Sequence, residues 1–155
     1  AERYLQPHSW IFWKAQCFQE SRLKPLAVSP AGAMGLCQLM PGTFAEQSQL
    51  MGIAASPFNP RANSLVGAAY MRRMLSIWTA ERPDYERLRL AWASYNSGPG
   101  NVIKAQRKCF GTMLWPDIQP CLYQITGVKN AKETTDYVRL IPVWFVALGG
   151  ANEAE

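Results

Sequence analysis

Eleven carboxylates, one histidine and four cysteines bound the chemistry open to this 155-residue chain. One of the carboxylates, Glu20, stands behind Phe18 at the end of an aromatic-rich stretch, with Ser21 directly after it. An apolar setting strips hydration from a carboxylate and raises its pKa, so such a group can hold a proton near neutral pH and deliver it to a leaving oxygen. Proton delivery of that kind is what cleavage of a glycosidic bond requires. The plain alternative, and the preferred one on these residues alone, is a solvated glutamate at a helix C-terminus, although the helix dipole disfavours negative charge there. His8 lies in no triad and no metal-ligand spacing and reads as an ordinary surface or core residue. Gly98, Pro99 and Gly100 lack the lysine of a phosphate loop. Cys17, Cys37, Cys109 and Cys121 lack the close pairs of a zinc site. No cofactor and no metal is therefore expected.

The elements that would position Glu20 read as helical nearly throughout, with no convincing period-two strands, which predicts an all-α fold. A helix is expected from about His8 to Ser21, stopped before Lys24 and Pro25, which places Glu20 in its last turn. Pro41 suits the first position of a helix toward Met51. Further helices are expected over residues 63–78, with Asn59, Pro60 and Asn63 as cap residues, and from Asp84 as a cap to about Tyr95. Another begins near Asn101. The last, over residues 134–148, is apolar almost all round, as for a central buried helix, and Pro142 should kink it or displace its start. Cys109 and Cys121 bracket a loop-like stretch containing Phe110, Gly111, Trp115 and Pro116, and a disulfide between them is expected, worth about 3 kcal/mol in the chain-entropy model. Cys17 and Cys37, on apolar stretches, read as buried thiols.

The composition, 48% hydrophobic and 17% charged with six each of Trp, Tyr and Phe, excludes a disordered chain and fits one globular domain over residues 1–155. The longest apolar stretch, Leu140 to Ala151, contains a proline and two glycines and is too short to span a membrane. The first residues carry no secretory signal pattern. A net charge of +5 favours anionic partners. The basic residues are scattered and not interleaved with aromatics, which argues against nucleic acid.

Four segments, taken together and in order, resemble the catalytic domain of the soluble lytic transglycosylases, which is similar to goose-type lysozyme. They are Glu20 and Ser21 with the stretch from Ser29 to Leu36; Gln38 to Thr43; Ala93 to Val102, which contains Tyr95 and Asn96; and Glu133 to Val138, which contains Tyr137. The resemblance runs from about Trp10 to Val146. Cys37, Ser94 and the cysteine-bracketed insertion depart from the family pattern.

The resemblance implies a lysozyme-like all-α fold and cleavage of the β-1,4 bond between N-acetylmuramic acid and N-acetylglucosamine in peptidoglycan. Glu20 would act first as acid and then as base, giving 1,6-anhydro ends. That reaction needs no carboxylate nucleophile, which suits a chain in which Asp136 reads as serving a helix start. Ser29 and Tyr137 would orient the glutamate or the substrate's acetamido group, and Gln38, Met40, Tyr95 and Asn96 would line the sugar sites. Four of them also have a structural reading: a turn at Ser29, core packing for Met40 and Tyr137, a helix stop at Asn96 with Gly98. Peptidoglycan strands are the implied partner, a monomer the expected state, and the periplasm, the cell exterior or a phage particle the expected location. A hydrolase on the same scaffold is the nearest alternative, and a binding module without activity is the next.

Overall fold

The computed structural model describes residues 5, 6 and 8–151. Its regular structure is helical: α1 Trp10–Ser21, α2 Pro41–Leu50, α3 Pro60–Ile77, α4 Asp84–Ser97, α5 Pro99–Lys108, α6 Trp115–Thr126 and α7 Val128–Ala147. Two isolated β-bridges, Val28 with Met34 and Met34 with Leu39, tighten the loop between α1 and α2. The all-α expectation holds. No helix among the described residues is long and apolar enough to cross a membrane.

Proline and cap residues fix most helix starts. The Ser9 hydroxyl accepts from Ile11 N, so α1 begins at Trp10. Pro41 and Pro99 occupy first positions, where a missing N–H costs nothing. The Asn59 side chain accepts from Ala62 N at 3.0 Å and caps α3, which therefore starts three residues before Asn63. Asp84 is not the cap expected of it. Pro83 takes that position, and Asp84 begins α4 and pairs with Arg87 one turn on.

Two larger differences lie in the C-terminal half. The stretch from Trp115 to Cys121, expected as part of a loop, starts α6 instead. Pro116 sits within the first turn and buried Trp115, Ile118 and Leu122 form a helical stripe. The final helix starts at Val128, directly after Gly127 at φ +80°, and passes through Pro142. It is not buried all round, since Val143 and Val146 are about half exposed while Ile141 and Phe145 are covered. Asp136 accordingly lies inside α7, not at its start, and pairs with Lys132 and Arg139.

The chain divides into two compact units, Ala1–Tyr70 with Ile141–Glu155, and Met71–Leu140. In the first, Phe12 of α1 stacks on Phe145 of α7 with centroids 3.8 Å apart. Trp13 packs on Gly67 of α3, where an added Cβ would come within 2.8 Å of the indole, and its ring nitrogen donates to Ser64. Cys17 and Cys37 are joined by a disulfide and are not the thiols expected from their apolar surroundings. In the second unit α5 packs on both α4 and α6, and a disulfide links Cys109 to Cys121.

Candidate active site

Glu20 is the penultimate residue of α1 and half-buried. The helix ends just beyond it because Arg22 and Leu23 both take left-handed conformations, φ +56° and +59°, and Arg22 N donates to Phe18 O at 2.8 Å. Neither residue is glycine, so each conformation costs about 1–3 kcal/mol that its surroundings must offset. Those surroundings are specific. The Arg22 guanidinium lies over the rings of Phe18 and Trp144, 4.8 and 4.4 Å from their centroids. The Trp144 indole N–H donates to the Gln19 side-chain oxygen at 2.7 Å. On the other side of Glu20, the Ser21 hydroxyl donates to Leu36 O at 2.6 Å and accepts from Lys24 N at 3.1 Å. Gln19 and Ser21 are therefore both anchored, and the backbone that carries the Glu20 carboxyl is held from either side.

The loop met by Ser21 carries three more of the expected residues, and its shape is fixed by side-chain amides. Gln38, at φ +48°, donates through Nε2 to Ala27 O and Gly35 O at 3.2 and 2.9 Å. Asn63 of α3 is fully buried: its Oδ1 accepts from Cys37 N at 2.8 Å, and its Nδ2 donates to Met34 O and Pro57 O. Gly35, at φ +77°, is obligatory, because a Cβ there would overlap both Asn63 and the Pro57 carbonyl. The Cys17–Cys37 bond ties the same loop to α1 covalently. Three of the four positive-φ residues other than glycine that the structure describes, Arg22, Leu23 and Gln38, thus fall at this helix end and loop.

These bonds restrict what each side chain has left to offer. Ser29 Oγ accepts from Ala33 N at 3.0 Å, a turn contact that leaves its proton to donate. Gln38 has committed its amide nitrogen and retains Oε1. Met40 is 47% exposed just ahead of α2, so it is surface and not core. Ser21 and Asn63 are structural partners whose roles depend on residues distant in sequence. A polar residue inside an apolar helix face was the signal available for Asn63. Gln16, one turn before Glu20 on α1, is 1% exposed, and neither of its polar atoms has a hydrogen-bond partner among the described residues.

The second unit holds Tyr95, Asn96 and Tyr137. Ser94, which departs from the family pattern, is fully buried; it accepts from the Trp78 indole N–H at 3.1 Å and donates to Leu90 O at 2.7 Å. The departure is a satisfied structural bond. Asn96 Oδ1 accepts from the buried Thr134 hydroxyl at 2.7 Å, which joins the Tyr95–Asn96 segment to the Glu133–Val138 segment on α7. Tyr137 is 4% exposed, and Tyr95 is half-buried. A pocket of about 440 Å³ opens beside Asn96 and Thr134, lined also by Ser97, Asn101, Asn130 and Glu133. Glu20, Ser29, Gln38 and Met40 therefore belong to the first unit, and Tyr95, Asn96 and Tyr137 to the second.

The family model described as the transglycosylase SLT domain matches residues 9–113. The membrane-bound lytic murein transglycosylase F of Aliivibrio fischeri is 33% identical, with the match covering 99% of this chain and 33% of that protein. The protein of the same name from Vibrio vulnificus is 32% identical over 68% of this chain and 19% of its own length. The chain thus spans between about a fifth and a third of these relatives. Among solved structures, an inactive glutamate-to-glutamine variant of the lytic transglycosylase Slt from Pseudomonas aeruginosa superposes with a TM-score of 0.71 at 29% identity, covering 91% of this chain and 21% of that one. The 70 kDa soluble lytic transglycosylase of Escherichia coli gives 0.73 at 23% identity, covering 96% and 24%. The expected lysozyme-like architecture is shared with these structures. With more than half of its length matched by the family model, the chain belongs to the transglycosylase SLT domain family.

Proposed function

We propose that residues 1–155 act as a peptidoglycan lytic transglycosylase domain in which Glu20 is the single acid and base. The observation that carries this reading is the anchoring of Glu20 from both sides, by Gln19 to Trp144 and by Ser21 to the loop of Ser29, Gln38 and Met40. Proton transfer depends on holding a carboxyl within hydrogen-bond reach of the reacting oxygen, and rigid flanking contacts provide that. The similar Pseudomonas enzyme is inactive as a variant with a single glutamate-to-glutamine change, which supports a one-glutamate mechanism.

In the proposed reaction the Glu20 carboxyl protonates the oxygen that leaves as the bond from muramic acid C1 to that oxygen breaks. The substrate's acetamido group stabilises the cationic centre, with Ser29 and Tyr137 orienting it or the carboxyl. The Glu20 carboxylate then takes the proton of the muramic 6-hydroxyl, whose oxygen closes on C1. The proton given is thereby recovered, and no water is consumed. Gln38, Met40, Tyr95 and Asn96 are assigned to the sugar sites, with Gln38 contributing its remaining oxygen. The relatives are named membrane-bound lytic murein transglycosylases, which supports a place for this domain where it can reach the wall, in the periplasm, at the cell exterior or on a phage particle.

Mass spectrometry of the fragments released from purified sacculi tests the reaction type. The expected products end in 1,6-anhydromuramic acid. Products heavier by one water would make the domain a hydrolase, and no products at all would leave a glycan-binding module.

A further inference from the structure

α1 turns one stripe of side chains inward. Phe12, Trp13, Gln16 and Cys17 are buried, and half-buried Glu20 follows on the same face. Gln16 breaks the apolar character of that stripe. It is 1% exposed, and neither its Oε1 nor its Nε2 has a hydrogen-bond partner among the described residues. A buried amide without partners is costly where an apolar side chain of the same volume would pack freely, so the position calls for a use beyond packing.

Helix geometry puts that amide beside Glu20. Residues four apart lie one above the other with Cβ atoms about 5–6 Å apart, and long side chains lean toward the helix N-terminus. The Glu20 side chain therefore leans over the turn that carries Gln16. The neighbouring polar groups are already committed. Gln19 Oε1 accepts from the Trp144 indole, the Ser21 hydroxyl both donates to Leu36 O and accepts from Lys24 N, and Gln38 Nε2 donates to two loop carbonyls. Gln16 keeps its whole amide.

From this placement we infer that Gln16 is a positioning residue for Glu20: its Nε2 donates to one oxygen of the carboxyl and leaves the other facing the bond that breaks. The inference rests on the reading of Glu20 as acid and base. Rotation about the terminal torsion of the glutamine, which is a broad one, aims the amide, and hydrogen bonds of this kind commonly tighten only once substrate is bound. The donor suits both states of the cycle. Before transfer it meets the carbonyl oxygen of the protonated acid, and after transfer it meets a carboxylate, where the bond is charge-assisted and stronger. Support for Glu20 thus grows as its proton leaves for the glycosidic oxygen and relaxes when the proton of the 6-hydroxyl is taken up.

The contact is tested first by NMR, following the Gln16 side-chain amide and the Glu20 carboxyl carbon through a pH titration. Both should move with one midpoint in the wild type, and the Gln16 shift should vanish in Glu20→Gln. A Gln16 amide that stays still while the Glu20 carboxyl titrates would overturn the inference, whatever the reaction catalysed. The second arm is the kinetics of Gln16→Met on soluble peptidoglycan fragments, with its denaturant midpoint measured alongside. The kcat should fall about tenfold with KM unchanged, although the variant is at least as stable as the wild type. Unchanged kcat, or a loss confined to KM, would overturn the positioning role. A wild type that cleaves nothing would count against the transglycosylase reading instead, and the NMR titration would then decide the contact alone.

Discussion

Two disulfides cross-link this chain, and their settings differ. Cys17 and Cys37 are 2% and 0% exposed and join the helix that carries Glu20 to the loop of Ser29, Gln38 and Met40. Cys109 and Cys121 join the end of α5 to the middle of α6 around a surface turn whose Phe110 is 99% exposed. The exposed turn is held by several other bonds, from Gln106 to Thr112 O, from Arg82 to Met113 O and from Trp115 N to Glu86. The same covalent chemistry therefore serves the candidate site in one region and local fold stability in the other.

Replacing each pair by alanine tests that contrast. Chain entropy alone assigns about 3 kcal/mol to each cross-link, with the 20-residue separation worth about 0.5 kcal/mol more than the 12-residue one. Denaturant melts should show losses of that size in both double variants. Cleavage of sacculi should drop only in Cys17→Ala with Cys37→Ala, measured where both proteins remain folded. An equal drop in Cys109→Ala with Cys121→Ala would remove the distinction.

A change of opposite sign is expected at Gln16, whose buried amide lacks partners among the described residues. Gln16→Met keeps the volume and removes the desolvated polar group, so the unfolding free energy should rise by about 1–2 kcal/mol. A fall would mean that buried solvent satisfies the amide.

The smallest effect concerns pH. A hydrogen bond from Lys132 holds the Asp136 carboxyl below its ordinary range; burial opposes it, and a lesser hydrogen bond from Arg139 adds to it. A lowered folded-state pKa contributes stability above the unfolded value, about 3.9, and loses it as pH falls through the folded value. Stability measured across that acid window should decline less steeply in Lys132→Met than in the wild type; identical slopes would mean that the pair is screened by solvent.

Local signals carried much of the fold. Lys24 and Pro25 placed Glu20 at a helix end, and Pro41 marked the start of α2, because proline and caps act within a few residues. The start of α6 was hidden for a related reason. Pro116, near Gly111, read as a loop breaker, although proline in a first helical turn is favourable and Trp115, Ile118 and Leu122 already showed the spacing. Other features depend on partners distant in sequence. The Asn63 amide serves a loop more than 25 residues away, and Cys17 and Cys37 occupy apolar positions that suit a thiol as well as a disulfide. Ser21 reads as half of a motif, while its hydroxyl ties Glu20's helix to Leu36.

The proposed reaction rests on one carboxyl, and the direct measurement is the rate of anhydromuropeptide release by Glu20→Gln beside the wild type, with matched thermal unfolding of both. Glutamine preserves shape and hydrogen-bonding capacity but cannot exchange the proton, so release should fall by about a hundredfold or more. A folded Glu20→Gln that releases anhydro ends within a few-fold of the wild type would contradict the assignment and move the acid and base role to another residue.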